Sequence, residues 1–335
     1  MLQYTAAVPP SGPPAFAALD LGTNNCRLLV GAPTSGGFRV LDSFSRLVRL
    51  GEGLDQSGQL SSDAMDRAVD ALQGCAERLT RRPVRALRAV ATEACRRALN
   101  GAVFLDRVRR ETGLTLDVIS TREEAELALE SVTPLLAPLA ATGVTRALLF
   151  DIGGGSTELA WVRLAERAGR PPELIGTVSL PVGVIGLAER WERHGFDAIA
   201  DEVERHLKPF EAIHRIELEI RRGKVALVGT SGTVTTLAGV VLDLQRYRRP
   251  LVDGVVLSSK DAAAAVTKLR AMSINALAAH PCVGPDRSEF VLPGCAIYAA
   301  IARLWPADKV VVADRGLREG MLLRMMRAER GRRSA

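Results

Sequence analysis

The chain has 335 residues, enough for two domains, and 47% hydrophobic but only 4% aromatic residues, so Leu, Val, Ile and Ala must supply the core. Its apolar runs are broken by charges or glycines well short of a bilayer's thickness, so no transmembrane helix and no membrane partner are expected. Lys and Arg number 44 against 38 Asp and Glu, a net charge of +6 that favours a polyanionic ligand. Nucleic acid is not expected, because aromatics to stack bases are scarce and no recognisable module is present.

Met1 to Pro14 holds two Pro-Pro pairs and no basic segment leading into an apolar one, which reads as a flexible leader and not a signal peptide. Strands are expected at Phe16 to Asp20, Cys26 to Val30 and Phe38 to Ser43. Arg46 to Leu54 is rich in Arg and Gly, and reads equally as a plain loop or as a basic lip on a site. Ser62 is placed to cap a helix whose apolar positions, Met65 to Leu79, recur at 3.6-residue spacing. A strand near Ala86 to Ala91 runs straight into Thr92 to Asn100, the start of a helix. Arg96 lies about one turn in, where it serves either a surface ion pair or a bidentate grip on phosphate. After a short strand at Leu116 to Ile119, a helix starts at Ser120. Glu123 and Glu124 fall in its first turn, as partners of the helix dipole or as a general base acting on water.

The stretch from Ala147 to Val162 organises the rest. An apolar run ends on Asp151, then come Gly153, Gly154 and Gly155, then Ser156, Thr157 and Glu158, then a second apolar run. This reads as strand, tight turn, strand. The glycine turn leaves backbone N–H groups bare to hold an anion, phosphate above all. Asp151 and Glu158 flank it, and paired acids beside phosphates suit Mg²⁺. The stretch Ala18 to Val30 matches it in register 131 positions earlier: Asp20 falls on Asp151, Gly22 on Gly153, Leu28 on Leu159. Two copies of one phosphate turn imply two related halves facing a shared cleft.

Farther on, Arg163 to Pro172 reads as a charged turn, and Thr177 to Gly186 as a strand entering a helix. Residues 199 to 216 read as an amphipathic helix and Lys224 to Gly229 as a strand. Gly229-Thr-Ser-Gly-Thr233 then opens another helix, holding a further anion or only allowing a tight helix–sheet crossing. Val255 to Leu257, a helix over 259–271, a helix with Pro293 in its first turn, a strand at Lys309 to Ala313 and a last helix after Asp314 to Gly320 complete the alternation. Five cysteines without a C-x-x-C pair fit a reducing cytoplasm and argue against zinc. The expected architecture is two mixed α/β domains of ribonuclease-H type, as in actin, Hsp70 and the sugar kinases. Domain I is expected over 15–126, with the helix at about 321–335 packing back on it, and domain II over 127–320.

Five stretches in order resemble the exopolyphosphatase/guanosine pentaphosphate phosphohydrolase family: Asp20-Leu-Gly-Thr-Asn24, Ala91-Thr92 with Arg96 to Asn100, Ile119-Ser120 with Glu123 to Ala125, Asp151 to Leu159, and Gly229 to Thr233. Ser-Leu-Pro-Val-Gly183 and Asp314 to Gly320 also fit, and the match covers roughly 16–325. It implies Mg²⁺-dependent removal of the terminal phosphate of polyphosphate, or of the 5′ γ-phosphate of pppGpp, by a cytoplasmic homodimer. By position Glu124 matches the family's catalytic base, Arg96 its phosphate-gripping arginine, and Asp151, Gly153 and Glu158 its phosphate and metal loop. Phosphate contacts are expected from Asp20, Gly22, Thr23, Asn24, Asn25, Gly153, Gly154, Gly155, Ser156, Thr157, Gly229, Ser231, Gly232 and Thr233, and metal ligation from Asp151 and Glu158. The chain departs from the family at Thr23-Asn24-Asn25-Cys26, where Ser-Asn-Ser-Phe is common, and at Thr121, where Gly is common. Longer members carry an extra helical C-terminal domain, short of which this chain is expected to stop. Two other readings stand beside this one: an ATP-dependent small-molecule kinase of the same fold, and a non-catalytic sensor of polyphosphate or (p)ppGpp.

Overall fold

The computed structural model describes residues 14–165 and 170–334. The expected leader lies outside them but for Pro14, as do residues 166–169 of the turn expected between Arg163 and Pro172. The fold divides into two compact units, one running to Ser131 and resuming at Leu317, the other Val132–Gly316.

In the first unit β1 (Phe16–Leu21), β2 (Asn25–Thr34), β3 (Gly37–Leu47), β4 (Ala86–Ala91) and β5 (Asp117–Val118) form one sheet in the order β3-β2-β1-β4-β5. The first three make an antiparallel meander, and β4 and β5 continue it in parallel with β1. Successive side chains of a strand face opposite ways, and β1 uses both faces. Ala17, Leu19 and Leu21 pack with residues of the helices Ser62–Arg81 and Gly101–Thr112. Phe16 and Ala18 pack with Ile119, Leu127 and, from the helix Leu317–Ser334, Met321, Leu322 and Met326. Asp20 therefore belongs to the face that packs on Leu127, within the helix Thr121–Ala141 that also carries Glu124. Gly320 allows that crossing, since a Cβ there would lie 2.1 Å from the Leu127 carbonyl oxygen.

The second unit repeats the plan. Its strands β6 (Arg146–Ile152), β7 (Thr157–Arg163), β8 (Glu173–Leu180), β9 (Val225–Gly229), β10 (Val256–Ser258) and β11 (Lys309–Val312) take the order β10-β11-β9-β6-β7-β8. Again an antiparallel meander, β6-β7-β8, is extended by parallel strands, β9 and β11, with β10 antiparallel at the edge. This is the two-sheet, ribonuclease-H-like architecture expected. No helix among the described residues is long and apolar enough to cross a membrane.

Three local expectations need correction. The cap of the helix Ser62–Arg81 is Ser61, whose side chain accepts from the Ala64 N–H, and Ser62 is its first residue. The amphipathic helix expected over 199–216 ends at His214, and Gly195, non-helical with φ 70, divides it from a separate helical turn that starts at Trp191. Pro293 does not open its helix but lies inside Ser288–Leu304. It precedes Gly294, where a Cβ would meet Thr233 Oγ1 at 2.2 Å, so the Pro-Gly pair marks a close crossing rather than a helix start.

Candidate functional site

The two loops that share a sequence register also share a hydrogen-bond plan. Gly22 N–H donates to the Asn25 carbonyl at 2.9 Å, and Gly153 N–H to the Ser156 carbonyl at 2.9 Å. In the first loop the Thr23 carbonyl accepts from Gly51 N–H (3.0 Å), and that of Asn24 from Val48 and Arg49 N–H (2.9 and 3.1 Å). In the second the Gly153 carbonyl accepts from Val184 N–H (3.0 Å) and that of Gly154 from Ile185 N–H (2.9 Å). Every described peptide bond is trans, so each braced carbonyl turns the next N–H the other way. The N–H groups of Asn24, Gly154 and Gly155 thus point away from their braces and make no hydrogen bond among the described residues. Such N–H groups form an anion-binding concavity. The backbone of the Arg46 to Leu54 connection is the brace of the first loop, fixed in turn by Arg67 Nε donating to the Val48 carbonyl at 2.9 Å.

The brace of the second loop is the Ser-Leu-Pro-Val-Gly segment. Thr157 Oγ1 donates to the Val182 carbonyl at 2.7 Å. A Cβ on Gly183 would lie 2.3 Å from the Gly154 carbonyl oxygen, so only glycine permits this approach. Asp151 and Glu158 are directly opposite on β6 and β7. Ser156 Oγ donates to Glu158 Oε1, as does Ser179 Oγ at 2.9 Å. Two facing acids repel one another unless a cation lies between them. Oxygen donors in this number suit Mg²⁺, which keeps most of its own waters and phosphate ligands. Among the described residues no cluster of three or more His, Cys, Asp or Glu is arranged to hold a metal by itself.

Glu124 and Arg96 come together in the first unit. Thr92 N–H donates to the Leu21 carbonyl (3.2 Å) and Ile119 N–H to that of Ala91 (3.2 Å), so loop 22–25, the helix Glu93–Arg97 and the start of Thr121–Ala141 lie along one edge of the sheet. That edge is the carboxyl end of its parallel strands, where α/β folds take ligands. Arg96 Nη1 lies 3.2 Å from Glu124 Oε2 and donates to the Ile119 carbonyl at 2.8 Å. Burial opposes the charge on Arg96, but Glu124 and Glu93 outweigh it and hold the guanidinium above its ordinary pKa. The other acid of that turn, Glu123, pairs with Arg88 at 2.9 Å.

The third turn, Gly229 to Thr233, leads from the end of β9 into the helix Gly232–Val241. Thr230 N–H donates to the Phe150 carbonyl at 3.0 Å, which ties this turn to the strand carrying Asp151. Ser231 caps the helix, its side chain accepting from Val234 N–H at 3.2 Å. Gly229 is pressed against Phe150, 2.8 Å from a Cβ position, so the tight crossing foreseen for this turn is real. Two charged residues escaped the sequence reading. Glu93 pairs with Arg96. Arg287, held by the Val283 and Cys282 carbonyls at 3.2 and 3.1 Å, places Nη1 3.8 Å from where a Gly232 Cβ would be. Glu93 was discoverable, three residues before Arg96. Arg287 comes from over fifty residues away, and no local pattern announces it.

Comparison with known proteins gives the family. The model of the Ppx/GppA phosphatase family matches residues 29–329. A guanosine-5'-triphosphate,3'-diphosphate pyrophosphatase of Vibrio parahaemolyticus is 30% identical over 93% of this chain and 59% of its own. The chain thus spans about 59% of the length of the curated relatives it matches. Among solved structures, an exopolyphosphatase-like protein superposes with a TM-score of 0.81 at 27% identity, over 93% of this chain and 97% of that one. A Ppx/GppA family member from Aquifex aeolicus superposes with a TM-score of 0.73 at 27% identity, over 94% and 98%.

Proposed function

Because the chain belongs to the Ppx/GppA phosphatase family, we propose that it is a phosphoric anhydride hydrolase. Its substrate is the terminal phosphate of inorganic polyphosphate or the 5′ γ-phosphate of pppGpp, and its nucleophile is water. One observation carries the reading: two loops 131 residues apart in sequence close on the same glycine hydrogen bond and each hold two carbonyls back, the braced pair being shifted by one residue between them.

Phosphoryl transfer needs little covalent help from a protein, only positioned and neutralised phosphate oxygens and an in-line nucleophile. In the first unit the Asn24 N–H and Arg96 take up phosphate oxygens, and in the second the N–H groups of Gly154 and Gly155 do so. The N-terminus of the helix Gly232–Val241, beside the fixed guanidinium of Arg287, serves a further phosphate of the chain. Glu124 takes the proton of the attacking water, and its contact with Arg96 keeps the base next to the cation that grips the phosphate. All five cysteines are buried free thiols, which favours water over a thiol nucleophile. Asp151 and Glu158 would hold Mg²⁺, which would neutralise phosphate oxygens when bound.

The test is phosphate release measured side by side on long polyphosphate, short polyphosphate and pppGpp, with and without Mg²⁺. Release from at least one, abolished by chelation, is expected. ADP formation from ATP that depends on an added acceptor, with none of the three hydrolysed, would replace this reading with a kinase. Tight binding of all three without turnover would replace it with a sensor. Light scattering on the same sample reads the expected homodimer.

A further inference from the structure

The helix Glu93–Arg97 carries a second acid that the mechanism above leaves idle. Glu93 is 8% exposed, and acids so deeply buried are rare unless paired. Its partner is Arg96, whose Nη2 and Nε both donate to Glu93 Oε2, at 2.6 and 3.2 Å. The remaining nitrogen, Nη1, donates to the Ile119 carbonyl and to Glu124 Oε2, at 2.8 and 3.2 Å. One guanidinium is thus clamped between two carboxylates, Glu93 on one edge and Glu124 at the other end.

We propose that Glu93 is a positioning residue for the hydrolysis: by holding and partly neutralising Arg96 from the far edge, it keeps Glu124 a competent base rather than one half of a closed ion pair. This rests on the reading that Glu124 takes the proton of the attacking water. A carboxylate within about 4–6 Å of an unshared Arg loses roughly 1–3 units of pKa, and a weaker base is a poorer catalyst. Two carboxylates and one guanidinium carry net negative charge, so the cation does not spend itself on Glu124. A guanidinium anchored by two bonds to Glu93 also keeps its orientation when Nη1 turns to phosphate.

The surrounding charges do not take over this task. On the same helix Arg97 Nε lies 3.8 Å from Glu93 Oε1, but Arg97 Nη2 is matched by Asp55 at 2.8 Å. From β4, Arg88 pairs with Glu123 at 2.9 Å and with Asp117 of β5. On the helix Thr121–Ala141, Arg122 pairs with Glu126 at 3.1 Å. Glu93 is the carboxylate that shares Arg96 with Glu124.

The experiment uses the full chain with ¹³Cδ-labelled glutamate, the Glu124 resonance being assigned by its loss in Glu124→Gln. Glu93→Gln keeps the shape of the side chain and removes its charge. The Glu124 titration midpoint is expected to fall by ~0.5 pH unit or more. The acidic limb of the kcat/KM profile should move down with it, and kcat should drop about tenfold. Glu93→Asp should restore the midpoint toward wild type, a rescue that a merely structural role does not give. If Glu93→Gln fails to fold, Glu93→Ala read by the same NMR titration makes the same demand. An unmoved midpoint and limb in a folded charge-removed variant, with Glu124→Gln inactive, overturns the positioning role and leaves the base assignment standing. A fully active Glu124→Gln overturns both.

Discussion

Gly183→Ala is the sharpest test of how the second loop is built. Gly183 has φ −134 and ψ 167, an extended backbone open to any residue, so the substitution brings no conformational strain of its own. Its whole cost is contact: the new Cβ would lie 2.3 Å from the Gly154 carbonyl oxygen, 2.4 Å from the Gly154 carbonyl carbon and 2.5 Å from that of Gly155. Backbone cannot rotate aside as a long side chain can. Ordinary contact therefore requires the loop and the start of the helix Val184–Glu189 to part by about 1 Å, which stretches the bonds from Val184 and Ile185 N–H to the loop. Weakening two backbone bonds at about 1 kcal/mol each, with residual overpacking of about 1 kcal/mol, gives about 3 kcal/mol. For a unit of this size that lowers Tm by roughly 6–12 °C. A displacement of ~1 Å in phosphate-holding groups should also cut kcat/KM by a factor of up to about 100. Differential scanning calorimetry and phosphate release measure the two effects. Gly232→Ala is the thermal control, since only Arg287 Nη1, at 3.8 Å, lies within 4 Å of its Cβ. A Gly183→Ala protein with wild-type Tm and turnover would show that the loop is not held by this brace.

Glu124→Gln should lower turnover about 100-fold or more, the scale of a lost general base, while substrate binding measured by calorimetry persists; normal turnover would end the assignment. Asp151→Asn and Glu158→Gln should each abolish or sharply weaken the response of activity to Mg²⁺, and a wild-type Mg²⁺ titration in both would remove these residues from the metal site. Ser61→Ala should destabilise the first unit by about 1 kcal/mol through loss of the helix cap, whereas Ser62→Ala should cost under about half of that; equal denaturant midpoints for the two would contradict the cap at Ser61.

Much of this was legible because it is written in short stretches. The alternation of β1, the glycines after Asp151 and the 131-residue echo at Asp20 need only a local pattern and a rule about side-chain direction. The Arg46 to Leu54 connection stayed ambiguous because its role is carried by backbone N–H groups, which composition does not reveal. Helix starts went astray where a boundary depends on tertiary fit: Pro293 looked like a first-turn residue until the close pass of Gly294 over Thr233 explained it. The first candidate base was visible as Glu124, but its partnership with Arg96 and Glu93 unites residues from two helices. Glu93 lies within reach of a local pattern, but that Glu124 shares the same guanidinium is visible only in three dimensions.

The two loops share their closing hydrogen bond but not their charge, and the difference bears on the proposed metal site. Asp20 and Asp151 occupy the same place at the end of the first strand of each sheet. Across from Asp151 stands Glu158, whereas across from Asp20 stands Arg27. An acid opposite an acid in adjacent strands is unfavourable by itself, and opposite charges there attract. The first copy therefore sets a cation across from its acid, and the second sets another acid there. Under the proposed function, phosphate beside Asp151 and Glu158 calls for a divalent cation more than phosphate beside Asp20 and Arg27 does. The loop recurs in both copies, and the proposed Mg²⁺ site falls in the one where Glu158 stands in place of Arg27.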